Sequence, residues 1–326
     1  RPSMWITSRI PLLAATFSIE LSMMLSGCSV SRFAVNRLGD ALADGGSTFS
    51  ADPDPELVAA AVPFSLKLME SLLAESPRHR GLLLASARGF TQYAYAFVQL
   101  EAERLESTDL AAAETGRRRA RALYVRARDY ALRGLAVRHR DFATLLATDP
   151  QAALRSPDRN DVALLYWSAV AWAAAIGLAK DEPDLVADLP LVSALIDRAL
   201  ALDESFDDGA IHSFLISYAS ARLDQAGDLE DRMRMHYERA LALSNGRSAA
   251  AHLSWAESMC LPRQDRACFE QALHAALAID VDAVPERRLA NVLMQRRAEW
   301  LLGRVERLFL PPLPAEPEFP SVAASR

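Results

Sequence analysis

Arg198-Ala-Leu-Ala-Leu202 recurs as Arg239-Ala-Leu-Ala-Leu243, 41 residues on. Ala276-Leu-Ala-Ile-Asp280 repeats Ala199-Leu-Ala-Leu-Asp203, 36 residues beyond the second copy. Few features restrict a fold more. Small residues where helices touch, then a break and a new helix, describe helix pairs that stack on their neighbours and bury one continuous core. A longer echo sets Pro55-Glu-Leu-Val-Ala59, Pro63 and Glu70-Ser-Leu-Leu-Ala74 against Pro183-Asp-Leu-Val-Ala187, Pro190 and Asp197-Arg-Ala-Leu-Ala201, at an offset of 127–128 residues. The chain reads as two related halves, each built from helix pairs.

Periodicity and caps place the helices at 55–75 (bent or restarted at Pro63), 80–106, 111–137, 158–179, 190–202, 208–224, 229–243, 247–259, 264–279 and 285–309. Asp54-Pro55-Glu56 is a start signal: an N-cap acid, proline in the first turn, and a carboxylate at the positive end of the helix dipole. A short helical pattern through Phe33, Leu38 and Leu42 precedes a break at Gly45-Gly46-Ser47. The 13 glycines and sparse β-branched runs exclude an ordinary sandwich or barrel. The expectation is all-α, with tetratricopeptide-like helix-pair repeats forming a curved α-solenoid over 52–309. Leu310–Arg326 carries five prolines and is expected to be extended or disordered.

Residues 1–27 have the pattern of a lipoprotein signal peptide. Arg1 and Arg9 supply positive charge, and Ile10–Leu25 is a short, mainly apolar stretch with one charged residue, Glu20, inside it. Leu25-Ser26-Gly27-Cys28 has the form of a lipobox, with Cys28 as the lipidated residue at the head of a 28–51 linker. The alternative is a buried helix with a chance cysteine. Lipidation would attach the chain to a membrane from the periplasmic side, and Ser29 in place of Asp favours the outer membrane. Cys260 and Cys268 then remain, either as a disulfide in an oxidising compartment or as two core thiols. The formal charge of −6 argues against a nucleic-acid binder.

Several polar residues sit on apolar helices. Gln92 and Gln99 lie seven apart, with Tyr93 and Tyr95 on flanking faces, and read either as a ligand-channel lining or as two buried amides satisfied by neighbouring helices. The last helix carries Asn291, Gln295, Arg296, Arg297 and Trp300. Arg297 points along an apolar face, toward a carboxylate ligand or partner protein, or else into an ion pair with the previous repeat. Residues 117–140 hold nine arginines beside a clean apolar stripe. They form a solvated face, or a contact with anionic lipid or an acidic partner. Trp167 and Trp172 are core residues or a partner hot spot, and His212 is a packing or capping residue. His79, His139, His236, His252 and His274 form no metal motif. No nucleophile elbow, P-loop or dinucleotide fingerprint occurs, and no metal or cofactor is expected.

Asp52-Pro-Asp-Pro-Glu-Leu-Val58, Pro63-Phe64, Gly89-Phe-Thr-Gln-Tyr-Ala-Tyr-Ala-Phe-Val-Gln99, Gln295-Arg-Arg-Ala298 and Trp300-Leu-Leu302 resemble the T-component (TatT-like) lipoproteins of TRAP-type transporters, from about Cys28 to Phe309. The resemblance implies an all-α periplasmic lipoprotein that is not an enzyme. It implies an accessory role in solute uptake: docking the periplasmic TRAP substrate-binding protein and holding or relaying its small-molecule solute. A homo-oligomer is also expected. The alternative reading of the same repeats is a scaffold lipoprotein for cell-envelope assembly.

Overall fold

A computed structural model describes residues 36–41, 46–222 and 227–310. The signal segment 1–27, Cys28 and the proline-rich tail from Pro311 onward lie outside the described residues. The described residues are all-helical, with no strand among them.

Helix α1 (Pro55–Glu75) starts where its cap demands, with the Asp54 carboxylate accepting from Leu57 N–H at 3.0 Å. The expected restart at Pro63 does not occur. Proline near the third turn costs one backbone hydrogen bond there, and burial of Val58, Leu66, Leu72 and Leu73 on one face carries the helix through. The break expected at Gly45–Ser47 is likewise corrected, because Gly46–Ser50 is a short helix. Helix α2 runs Arg80–Tyr93, widens into a π-helical stretch at Ala94–Gln99, and ends at Leu100–Leu105. Its start is capped by His79, whose Nδ1 accepts from Leu82 N–H.

Helix α3 (Leu110–Ala136) lies between α2 and α4 (Val162–Gly177). Glycine makes both approaches close. A Cβ on Gly116 would stand 2.7 Å from Ala102 Cβ, and one on Gly134 would stand 2.6 Å from Leu164 Cδ2. Helix α4 buries nearly its whole circumference, Trp167 and Trp172 included. Residues 138–157, expected as a connection, instead form two short helices, Phe142–Thr148 and Pro150–Arg155. Phe142 and Leu146, one turn apart, fill the core, and Asp149-Pro150 starts the second helix. A polar knot holds this corner. Asp161, fully buried, accepts from Arg80 at 2.8 Å, Arg138 at 2.9 Å and Asp158 N–H at 3.0 Å, and pairs with His139 at 2.9 Å.

The chain continues through α5 (Leu189–Leu202), α6 (Ala210–Tyr218), α7 (Leu229–Leu243), α8 (Ala249–Trp255, with a π-helical continuation Ala256–Cys260), α9 (Arg266–Leu277) and α10 (Arg288–Leu302). Helix α6 stops short of the expected 224, giving way to a 3-10 turn at Ala219–Ala221. Cys260 and Cys268 are joined in a disulfide that closes the α8–α9 connection, with their Cα atoms 5.5 Å apart.

The apolar interior falls into separate clusters. One centres on α4 and α5 and reaches α6; another unites α8, α9 and α10 with parts of α6 and α7. No residue of α1, α2 or α3 belongs to the second cluster among the described residues. Yet α10 returns to the start of the chain. Arg288 donates to the Ala51 carbonyl at 2.8 Å, Arg296 pairs with Glu56, and Arg297 pairs with Glu103 at 2.6 Å. Helix α10 thus meets Ala51, α1 and the end of α2 across a polar seam.

Candidate functional site

The seam contains the most concentrated buried charge on α10. Arg297 is 9% exposed and its guanidinium serves two acids. It donates to Glu257 on α8 from Nε at 3.2 Å and Nη2 at 2.7 Å, and pairs with Glu103 on α2 at 2.6 Å. The Trp300 ring lies 4.5 Å from the Arg297 guanidinium and equally close to that of Arg304. On the other side a hydrogen-bond chain leads away. Gln99 donates to Glu103 at 3.0 Å and accepts from the buried Tyr124 hydroxyl at 2.7 Å. Tyr95 sits within electrostatic reach of Glu257, Arg297 and Glu103.

Charge is unevenly matched, with two carboxylates against one guanidinium. Burial pushes the Glu257 carboxyl above the ordinary range despite the pull of Arg297. Burial also works against the Arg297 charge, but Glu257 and Glu103 outweigh it and hold the guanidinium protonated. Tyr95 and Tyr124 are both pushed upward by burial and remain neutral phenols.

Both π-helical stretches meet here. Tyr95 and Gln99 lie on the first and Glu257 on the second. A π turn adds a residue to the helical repeat, rotating the downstream turns by about 100° relative to a regular α-helix. That rotation separates Gln92 from Gln99, which regular spacing would have placed on one face. Gln92 is exposed, while Gln99 is half-buried in the network. Tyr93 is half-buried and accepts a long hydrogen bond from Arg119 at 3.4 Å.

The remaining α10 residues do different work. Asn291, 3% exposed, accepts from Ala249 N–H at 3.0 Å and donates to the Arg247 carbonyl at 3.1 Å, so it caps the start of α8 from a distance. The Gln295 amide faces the carbonyls of Ala276, Leu277 and Ile279 at 2.8–3.2 Å and caps the end of α9. Both side chains, expected on a ligand face, are hydrogen-bonded to backbone. Arg296 is a tie to Glu56, with Nη2 to Oε2 at 3.2 Å.

The sequence reading missed Glu103 and Glu257. Glu103 follows Gln99 by one turn, and Glu257 is the one acid of the Ala249–Cys260 segment. Either fact could have nominated them as partners for Arg297. Two scattered histidines also come together: His212 Nδ1 lies 2.9 Å from His236 Nδ1, and both imidazoles are held below their ordinary pKa by burial, His236 to about 4. His212 packs rather than caps, since Gly209 occupies the cap position.

Residues 51–309 match the family model described as TRAP transporter T-component. The chain is also 30% identical, over 312 residues, to an uncharacterized protein of Treponema pallidum (strain Nichols), covering 90% of this chain and 97% of that protein. The chain therefore belongs to the TRAP transporter T-component family, a family of transporter accessory components and not of enzymes.

Proposed function

We propose that this protein is the accessory lipoprotein of a TRAP-type uptake system. It is anchored through Cys28 in the periplasm, with the outer membrane the favoured site. Its helix pairs form a tetratricopeptide-like curved solenoid that docks the substrate-binding protein and holds or relays its solute. It acts as a homo-oligomer. Family membership supports the transport role, and the Arg297 centre is the observation that carries the solute reading.

Arg297 has a planar fork suited to carboxylates, already filled by two of them. A carboxylate solute reaches that fork only if one acid gives way. Glu257 is the one, because burial has already moved it toward the neutral form and a neutral carboxyl releases the guanidinium. The Trp300 ring, against which the Arg297 and Arg304 guanidiniums lie, steadies the fork.

Calorimetric titration of the mature protein with the substrate-binding protein of its transporter tests the reading. A binary complex is expected. Glu257→Gln should keep the fold and raise affinity for a carboxylate solute. Folded protein that forms no complex refutes docking, and a complex whose solute affinity ignores Glu257→Gln refutes the assigned site.

A further inference from the structure

Helix α1 contains an 18-residue window of mean hydropathy 1.6, of which only 22% is buried. Its length and composition would suit a membrane span. It cannot serve as one here, because Val58, Leu66, Leu72 and Leu73, each at most 8% exposed, fasten one face to the body. The opposite face is left open. Leu57 is 58% exposed and Phe64 73% exposed, seven residues apart on one stripe with exposed Ala60 between them. Lys67, one of the chain's two lysines, follows one turn later; its side chain is exposed and paired with Glu70 at 2.6 Å, a partner it would exchange for a phosphate.

The chain upstream indicates what covers this stripe. Asn36 is fixed at the end of α1. The Ser76 hydroxyl donates to its side chain at 2.8 Å, and a His79 ring nitrogen lies 3.2 Å from its carbonyl. Cys28 precedes Asn36 by eight residues, a tether of at most about 29 Å. Phe64 lies twelve residues before Ser76, about 18 Å along the helix. A lipid on Cys28 therefore reaches the plane of the Phe64 face. Two large side chains are too little for a stable dimer, which needs about 800 Å² per partner. They suit a helix lying in a headgroup layer, adding a second contact to an acyl anchor.

We propose that the Leu57–Phe64 face of α1 rests in the headgroup region of the bilayer that holds the Cys28 lipid. Phe64 enters the acyl boundary, and the Lys67 ammonium reaches back to phosphates. The protein is thereby oriented on the membrane as well as tethered to it. This rests on the lipid-anchor reading above.

The test uses the mature lipoprotein in vesicles of phosphatidylethanolamine and phosphatidylglycerol. With Cys28 acylated and Cys260 bonded to Cys268, Phe64→Cys introduces a thiol that takes an environment-sensitive fluorophore. Its emission should shift to the blue and be quenched by spin-labelled lipid. The same label at Arg140→Cys, on a fully solvated side chain, should do neither. A Phe64 label as aqueous as the Arg140 label overturns the proposal. So does a blue shift that lipid does not quench, because protein then covers the face. Absence of acyl mass on Cys28 overturns the anchor reading itself, and this inference with it.

Discussion

Replacing Arg297 with methionine removes the cation from between Glu103 and Glu257 while nearly preserving volume. The guanidinium is 10% exposed, and the two acids are 24% and 28% exposed. Orphaning a fully buried partner costs about 3–5 kcal/mol. Access of a quarter of each acid to water reduces this to about 2–3 kcal/mol at pH 8. In a domain of this size that lowers Tm by roughly 4–12 °C. The pH dependence is more diagnostic than the size. Burial raises the Glu257 carboxyl, so the native state holds its proton more tightly than the unfolded chain. Stability from that proton is present at low pH and is lost as pH rises from the ordinary 4.5 through the raised value. Without Arg297 that window extends further upward. Arg297→Met should therefore be less destabilised at pH 5 than at pH 8, and Glu257→Gln added to it should recover stability at pH 8. Urea unfolding followed by circular dichroism at both pH values measures this. A deficit equal at the two values, or larger at pH 5, refutes the argument.

Asp161→Ala should cost about 1–3 kcal/mol, read by chemical denaturation: Arg80 and His139 lose their buried carboxylate, while Arg138 keeps Asp158 and Arg80 keeps the Asn160 carbonyl. Burial raises the Asp161 carboxyl, but its hydrogen bonds from Asp158 N–H, His139 and Arg138 outweigh that and hold it below 3.8. Its stabilisation is present above that value and disappears as pH falls through the lowered one, so the stability deficit of Asp161→Ala against the wild type should shrink as the pH is lowered through that range. Gly134→Ala should destabilise by about 1–3 kcal/mol, because the new methyl meets Leu164, and Leu164→Ala should relieve the clash in the double variant. Cys260→Ser should lower stability by about 2–3 kcal/mol, the loop-closure value for a bridge of this span, with reducing agent no longer changing the unfolding curve.

Helix starts were legible because caps are local. Asp54-Pro55 needs only its own sequence to define an end, and α7 begins after Asp228 for the same reason. The buried cation was legible too, since Arg297 falls on an apolar stripe. Its partners were not. Glu103 and Glu257 come from helices far apart in sequence, and only tertiary closure brings them together. The different surroundings of Gln92 and Gln99 were illegible for another reason. Regular helical spacing cannot foresee a π turn, whose extra residue is stabilised by packing and not by propensity. Asn291 and Gln295 looked like ligand groups because a helix end that needs a remote cap leaves no mark in its own residues.

A run of helices whose ends are left apart behaves as a spring, whereas one whose ends are welded by a common apolar core behaves as a hoop. Here α10 reaches Ala51, α1 and α2 through the polar contacts of Arg288, Arg296 and Arg297, and among the described residues no residue of α1, α2 or α3 belongs to the apolar cluster of α8, α9 and α10. The arrangement is closer to a bracelet with a buckle. Dissolved ions weaken exposed charge pairs and leave apolar clusters intact, so ionic strength acts mainly on the exposed Arg296–Glu56 pair, much less on the buried Arg297 pairs, and spares both clusters. Parting α10 from α1 and α2 therefore means breaking ion pairs and a hydrogen bond, not splitting a shared apolar cluster.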